Sequence, residues 1–248
     1  MPILVRPLAI VEANGALLFS TGSQIYRRVD GAAPTYALAQ DDTDLLATGE
    51  VIDPNVGGIR GLTAIPASSG SGNSLLFFWA PDGTSNSKGC VYRLDFSSTG
   101  PYTRTLEACM NNLISTYLGG APVSYVLGAY NNFYPVTNPA TGQINYVFGL
   151  DCWVAGNYVS ITETQAGKTG GMYSGAMYAM RLGPGTYQVG EVNGHHNSAN
   201  PALVSIYTAV LSPFATESNV LYFGGYDPNN VNSHNTAWSF KSWIATAL

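Results

Sequence analysis

The chain has 248 residues, of which only 10% are charged, against roughly 25% in an ordinary soluble domain. Its net charge of −5, without a cluster of Lys and Arg, argues against nucleic-acid binding, and no apolar run approaches the ~18 residues of a membrane-spanning helix. Abundant Gly (28), Pro (14) and Tyr (16) are typical of strands joined by turns, which predicts an all-β fold.

A repeated unit follows the chain, beginning near residues 6, 60, 125 and 203. Each copy has two apolar strands joined by a turn, then a loop and a third strand that carries an aromatic residue. A fourth strand follows in three copies, around 34–40, 102–108 and 185–192, and only 243–248 remains for it in the last copy. The repeat predicts four-stranded antiparallel units. The aromatic residues at matching places are Tyr26, Tyr92, Tyr178 and Trp238.

A succession of such units resembles the β-propeller superfamily over essentially the whole chain. The resemblance is architectural, since neither a WD dipeptide nor a regular kelch pattern occurs. It implies a single domain, residues 1–248, in which four blades occupy about 5–40, 59–108, 124–192 and 203–248. A β-sandwich or barrel built from the same hairpins is one alternative. Another is a fragment or half of a larger propeller, completed by a partner chain or as a homodimer.

The predicted strands alternate in direction, so two kinds of connection leave the sheets at the same end. These are the loops between the second and third strands and the connections between successive units. The connections at 41–58, 109–123 and 193–202 are long, whereas the turns between third and fourth strands are short. Long loops on a rigid scaffold commonly carry binding and catalysis. The sequence therefore predicts a functional site at this loop-bearing end.

Carboxylate and imidazole side chains are predicted to gather there. Three aspartates come at or just after the second strands, and all three histidines lie in the long connections. Imidazole with carboxylate suits zinc, whereas oxygen ligands alone suit calcium. The alternative is that the aspartates only terminate strands by bonding turn amides. The candidate metal ligands are His195, His196, His234, Asp82, Asp151 and Asp227.

A histidine with an aspartate partner can also act as a general base. His234, His195 and Asp227 are therefore the candidate catalytic residues of a hydrolase that acts on an ester, lactone or phosphoester. The connections differ between copies, which predicts one asymmetric site and favours an enzyme over a repeated binding module.

Aromatic and amide side chains at the same end would contact a small-molecule substrate or a sugar. Trp153, Tyr226 and Asn235 are the candidates, because aromatic faces stack on sugar rings and planar amides bond hydroxyl groups. A carbohydrate-binding, lectin-like protein or a protein-interaction propeller without catalysis is the alternative function.

The three cysteines leave at least one thiol outside any intrachain disulfide. Pairing of Cys109 with either Cys90 or Cys152 is compatible with the predicted units, but free, buried thiols are expected. The N-terminus lacks the features of a signal peptide, while low charge and many Asn, Tyr and Thr residues favour an extracytoplasmic location.

Overall fold

The structure is a computed structural model. It describes residues 8–31, 35–46, 48–52, 57–68, 70–81, 89–95, 102–117, 119–120, 123–128, 132–138, 140–154, 173–174, 177–191, 196–197, 200–201, 205–211, 221–226 and 236–239. For the strand residues 124–125, 127–128, 151–154, 173–174, 177 and 191, and for the described strands after residue 191, only the backbone is described. Within these ranges, no helix has the length and hydropathy needed to cross a membrane.

The predicted all-β class is confirmed, and the first two sheets are four-stranded antiparallel meanders. Asn14 and Gly15 form the first two-residue turn with positive φ angles of 52° and 73°, which is the backbone that such a hairpin requires. The strands of sheet 1 are β1 (Ala9–Ala13), β2 (Ala16–Thr21), β3 (Gln24–Val29) and β4 (Thr35–Asp41). Those of sheet 2 are β5 (Gly58–Pro66), β6 (Asn73–Ala80), β7 (Cys90–Asp95) and β8 (Thr103–Cys109).

Sheet 3 keeps the same antiparallel order, but two separate strands share the role of its first strand. β9 (Val123–Gly128) pairs with the second half of β11 (Ile144–Val154), and β10 (Tyr134–Thr137) pairs with the first half. The sheet also contains β12 (Tyr173–Ser174), β13 (Met177–Gly183) and β14 (Thr186–Glu191). The hairpin of β15 (His196–Asn197) and β16 (Asn200–Pro201) precedes sheet 4, whose described strands are β17 (Ser205–Leu211), β18 (Leu221–Tyr226) and β19 (Thr236–Ser239).

Sheets 1, 2 and 3 pack face to face in chain order. The two faces of β6 belong to different hydrophobic clusters, because side chains alternate along a strand. Phe77 and Trp79 pack with Leu18 and Ile25 of sheet 1, whereas Phe78 packs with residues of sheet 3. Burying each such side chain contributes about 1.5–3 kcal/mol, so these two clusters are the main stabilisation of the described fold. β11 contacts β17, which places sheet 4 next to sheet 3.

The predicted aromatic repeat is present in the strand register of sheets 1 and 2. Tyr26 pairs with Phe19 and Tyr92 pairs with Phe77, and in both pairs the rings stack with centroids 5.6 Å apart. The matching of Tyr178 to these tyrosines is wrong. Its neighbour Ala179 faces sheet 2, so alternation puts Tyr178 on the opposite face of sheet 3.

Tyr178 instead fills space above two glycines. It pairs with Gly149 on β11 and Gly190 on β14, and a Cβ atom at Gly190 would overlap the tyrosine ring. Cross-strand glycines leave room for a large aromatic side chain. Tyr178 therefore packs over glycines, whereas the tyrosines of sheets 1 and 2 stack on phenylalanine rings.

A helix that the sequence analysis did not predict, α1 (Met110–Tyr117), begins the connection after sheet 2. Met110 and Ile114 are fully buried in the cluster between sheets 2 and 3, with Leu113 and Tyr117 packed against it. These positions recur at intervals of three and four residues, which is the spacing of one helical face. The helix thus closes the end of that cluster.

A buried ionic network joins sheets 2 and 3 beside the second cluster. The Glu107 side chain is 1% exposed and accepts hydrogen bonds from Arg181 Nε and Nη2 at 2.6 and 2.7 Å and from the Tyr187 hydroxyl at 2.7 Å. Arg93 Nη1 lies 3.4 Å from its Oε1. Burial raises the pKa of Glu107, but the hydrogen bonds from Arg181 and Tyr187 outweigh it and hold the pKa below 4.5.

Glu107 reaches sheet 3 from a β-bulge in β8. Val91 pairs with Ala108 and Tyr92 with Leu106, so Glu107 has no partner residue on β7. Because of the extra residue, both Glu107 and Ala108 face sheet 3, where Ala108 packs on the hydrophobic cluster.

Replacement of Glu107 by Gln should lower the free energy of unfolding by about 3 kcal/mol or more at neutral pH, since it leaves the buried Arg181 without its counter-charge. The unfolded chain binds the proton more readily than the folded one, so the wild-type advantage is complete above pH 4.5 and disappears as the pH falls through the lower folded pKa. Urea unfolding of both proteins across this pH range measures the difference.

The control is Asp30→Asn, which removes an ion pair with Arg28 whose carboxylate is 82% exposed. This exposed pair should contribute little, so the variant should unfold close to wild type at every pH. Equal stability of Glu107→Gln and wild type at neutral pH would contradict the assigned role of the network.

Candidate functional site

The described strand ends confirm that the long connections share one end of the first two sheets. In sheet 1, the turn between β2 and β3 lies beside the connection to sheet 2, because Asp42 N donates to Ser23 O at 2.9 Å and Ile59 N donates to Gly22 O at 2.7 Å. In sheet 2, Met110 N donates to Gly89 O at 2.7 Å in the matching place.

Sheet 4 brings together the ends of two connections that carry histidine. Ser205, where the connection from sheet 3 enters, pairs with Tyr226, the last residue of β18. The next pair along β18 joins Gly225 to Thr236, where β19 begins. The segment with His195 and His196 therefore enters sheet 4 at the end where the segment with His234 leaves it.

The predicted site residues divide into two groups. The backbone of four of them lies in described strands: Asp151 and Trp153 in β11, His196 in β15 and Tyr226 at the end of β18. The other five lie outside the described residues and remain predictions: Asp82, His195, Asp227, His234 and Asn235.

The predicted places of Asp151 and Trp153 are corrected by the structure. We expected Asp151 at the end of a strand and Trp153 in a loop, but β11 continues to Val154. Asp151 pairs with Leu127, and Trp153 pairs with both Tyr125 and Ser174. Pairing with β9 and β12 extends the strand into a segment that sequence patterns alone did not identify as a strand.

The three aspartates are also not equivalent in the repeat. Asp151 lies within β11, whereas Asp82 and Asp227 come after the ends of β6 and β18. Among residues with described side chains, no three His, Cys, Asp or Glu residues are grouped closely enough to hold a metal ion. A metal site would therefore need ligands from the connections outside the described residues.

The described acidic residues at this end bind an arginine of sheet 2. Arg104 contacts Asp42 Oδ1 and forms two bonds with Asp44, from Nη1 to Oδ1 at 2.8 Å and from Nη2 to Oδ2 at 2.6 Å. Gln40 Nε2 also donates to Asp42 Oδ1 at 2.8 Å. The guanidinium lies 5.7 Å from the centre of the Tyr92 ring. This cluster joins sheet 1 to sheet 2.

The two aspartates bound by Arg104 differ in environment. Asp42 is fully buried, and burial raises its pKa despite the bonds from Gln40 and Arg104. Its Oδ2 is buried and has no hydrogen-bond partner among the described residues. Asp44 is mostly exposed, and the hydrogen bonds from Arg104 lower its pKa. Sequence patterns did not predict this cluster, although residues 41–44 form the densest acidic run in the chain.

A disulfide closes the same end of sheet 2 and corrects the expectation of free thiols. Cys90 and Cys109 are directly paired across β7 and β8, with an S–S bond of 2.10 Å. Pairing in an antiparallel register brought the two thiols together. The corresponding cross-strand pair in sheet 1 is Gln24 with Asp41, joined by a hydrogen bond of 3.0 Å.

Digestion without reduction should recover Cys90 and Cys109 in one linked peptide. The double variant Cys90→Ser/Cys109→Ser should unfold about 3 kcal/mol more easily, because it releases a loop of 19 residues in the unfolded chain. Thermal unfolding with and without a reducing agent measures this. The reducing agent should lower the wild-type midpoint and leave that of the double variant unchanged; an insensitive wild type would contradict the disulfide.

Comparison with known proteins adds no family assignment: no family model, no curated protein and no solved structure matches this chain.

Proposed function

We propose that the protein is a β-propeller hydrolase whose active site lies at the loop-bearing end and cleaves an ester, lactone or phosphoester. The successive sheets would be its blades. Two observations support this arrangement. Sheets 1 to 3 pack face to face in chain order, and the connections between successive sheets lie at one end. The unequal lengths of the connections support one asymmetric site.

The observation that carries the proposal is the pairing of Ser205 with Tyr226. It joins two segments that together contain every histidine of the chain, together with Asp227. Imidazole and carboxylate form a donor set that fits zinc, with calcium as the oxygen-ligand alternative. A bound divalent ion would supply an activated water molecule.

The predicted site residues would then have separate roles in hydrolysis. His234 and His195 would accept the proton of the attacking water or hold the ion, and Asp227 would orient a histidine through a hydrogen bond. Tyr226 would contact the substrate next to them. His196 would serve as a further ligand, on the β15–β16 hairpin.

The Cys90–Cys109 disulfide supports an extracytoplasmic location for this activity. Stable disulfides form and persist mainly in oxidising compartments.

Carbohydrate binding without catalysis is the second candidate function, and Trp153 favours it. The backbone of this residue is paired on both sides, with Tyr125 and Ser174. A tryptophan side chain has only two rotatable bonds, so it loses little conformational entropy when a sugar ring stacks on it.

Wild-type protein should hydrolyse at least one member of a panel of chromogenic esters, lactones and phosphoesters. His234→Ala and His195→Ala should each lower kcat/KM by about 100-fold or more, because each removes a base or a metal ligand. Elemental analysis of the purified protein, and assays with a chelator followed by zinc or calcium, identify the ion. Asp30→Asn is the control, since Asp30 follows β3 at the other end of sheet 1.

The same proteins distinguish the two functions. A protein that cleaves nothing in the panel, but binds immobilised glycans and loses this binding in Trp153→Ala, would support carbohydrate binding. Wild-type hydrolysis by the double variant His195→Ala/His234→Ala would remove both histidines from the mechanism.

A further inference from the structure

Sheet 1 has an apolar face that no described residue of the chain covers. We call it the rear face, since it points away from sheet 2. Across its middle, Ile10 pairs with Phe19, Phe19 with Tyr26 and Tyr26 with Leu38. The rings of Tyr36 and Phe19 meet edge to face, with centroids 5.1 Å apart. This is a continuous row of large apolar side chains across four strands.

The rear face of sheet 1 repeats the face by which sheet 2 packs on sheet 1. Phe19 and Tyr26 match Phe77 and Tyr92 in register and in ring stacking. The positions two residues before the phenylalanines are both leucine. Leu17 on sheet 1 is 39% exposed, whereas its counterpart Leu75 on sheet 2 is 0% exposed.

The first strands show the same difference. Ile10, opposite Phe19, is 54% exposed, but Leu62, in the bulge opposite Phe77, is fully buried. An apolar face of this extent on a soluble protein marks an interaction surface. Its likeness to the rear face of sheet 2 specifies the kind of partner, because that face is covered by a β-sheet of this same repeat.

Among the described strands, the order of packing leaves no sheet for this position. Sheet 1 faces sheet 2 through Leu18 and Ile25, and sheet 2 faces sheet 3 through Phe78. Sheet 4 contacts sheet 3 through β17 and β11. The rear faces of sheets 2 and 3 thus each take the sheet that precedes them, and among the described residues no sheet occupies the matching place on sheet 1.

We propose that the rear face of sheet 1 binds sheet 4 of a second copy of this chain. The contact continues the series of sheet-on-sheet interfaces from one copy into the next. If each copy gives its sheet 4 to the other, two identical contacts close a ring of two chains and eight sheets with two-fold symmetry. Glu12 and Arg28, exposed on the same face, would form the polar rim of the contact.

Light scattering coupled to size exclusion should give twice the chain mass of 26.2 kDa for the wild type. The double variant Ile10→Lys/Leu17→Lys should give the mass of one chain, because two charges would be buried in the contact. Its circular dichroism should remain that of the wild type, since both side chains are already exposed in one copy. The control Val51→Lys changes an apolar residue that is 77% exposed outside the sheets, and it should stay dimeric.

Photo-crosslinking identifies the occupant independently of any charge substitution. A benzophenone amino acid replaces Tyr36, which is 56% exposed on the rear face, in a mixture of isotope-labelled and unlabelled chains. Cross-links between a labelled and an unlabelled chain, from position 36 to residues 205–239, would support the proposal. A wild-type mass of one chain, cross-links confined within one chain, or cross-links to other parts of the second chain would each overturn it.

Discussion

The described fold depends on the double-sided burial of β6. From Ser74 to Ala80 every residue of this strand is buried, and its alternate side chains enter two separate clusters. A strand buried on both faces must lie between two other layers of structure, and here both layers are sheets, so three sheets pack in series around this segment. The buried side chains include Trp79, whose indole Nε1 has no hydrogen-bond partner among the described residues, which shows how fully packing dominates here.

Two charged residues of β8 link sheet 2 to its neighbours within the described part of the chain. β8 carries Arg104, which binds the aspartates after sheet 1, and Glu107, which binds Arg181 and Tyr187 of sheet 3. The edge strand β8 thus contacts residues of both neighbouring sheets through charged side chains, whereas β6 contacts both sheets through apolar side chains. Desolvation offsets much of the attraction within a buried ion pair, so the net stabilisation by such a pair is smaller than its short contacts suggest.

Sequence patterns predicted the strand class and the repeated sheets because local alternation and turn residues determine them. Tyr26 and Tyr92 were recognisable as members of an aromatic repeat for this reason. Tyr178 was misplaced, since a shift of one residue in register moves a side chain to the other face. The Cys90–Cys109 pair, the bulge at Glu107 and the continuation of β11 past Asp151 depend on which strands pair, and such pairings are long-range properties.

The candidate site was predictable only in its location at one end of the sheets. The register of Ser205 with Tyr226 connects the histidine-bearing segments, and no local pattern contains that information. The Asp42–Arg104 contact spans 62 positions of sequence, so the acidic run at 41–44 was visible while its partner was not. Helix α1 was missed because its eight residues mix polar and apolar types, and its apolar spacing becomes informative only beside the cluster that it covers.

The two kinds of cross-strand link give the sheets different resistance to partial opening. In sheet 2 a covalent bond ties the end of the outer strand to its neighbour, so β8 cannot leave β7 without reduction. In sheet 1 the matching link between Gln24 and Asp41 is an exposed hydrogen bond, and the first four residues of β4 are exposed. In a single copy of the chain, we therefore expect β4 to separate from β3 at lower cost than β8 from β7. Amide hydrogens of β4 should then exchange before those of β8, and binding of a second copy to the rear face of sheet 1 should slow their exchange.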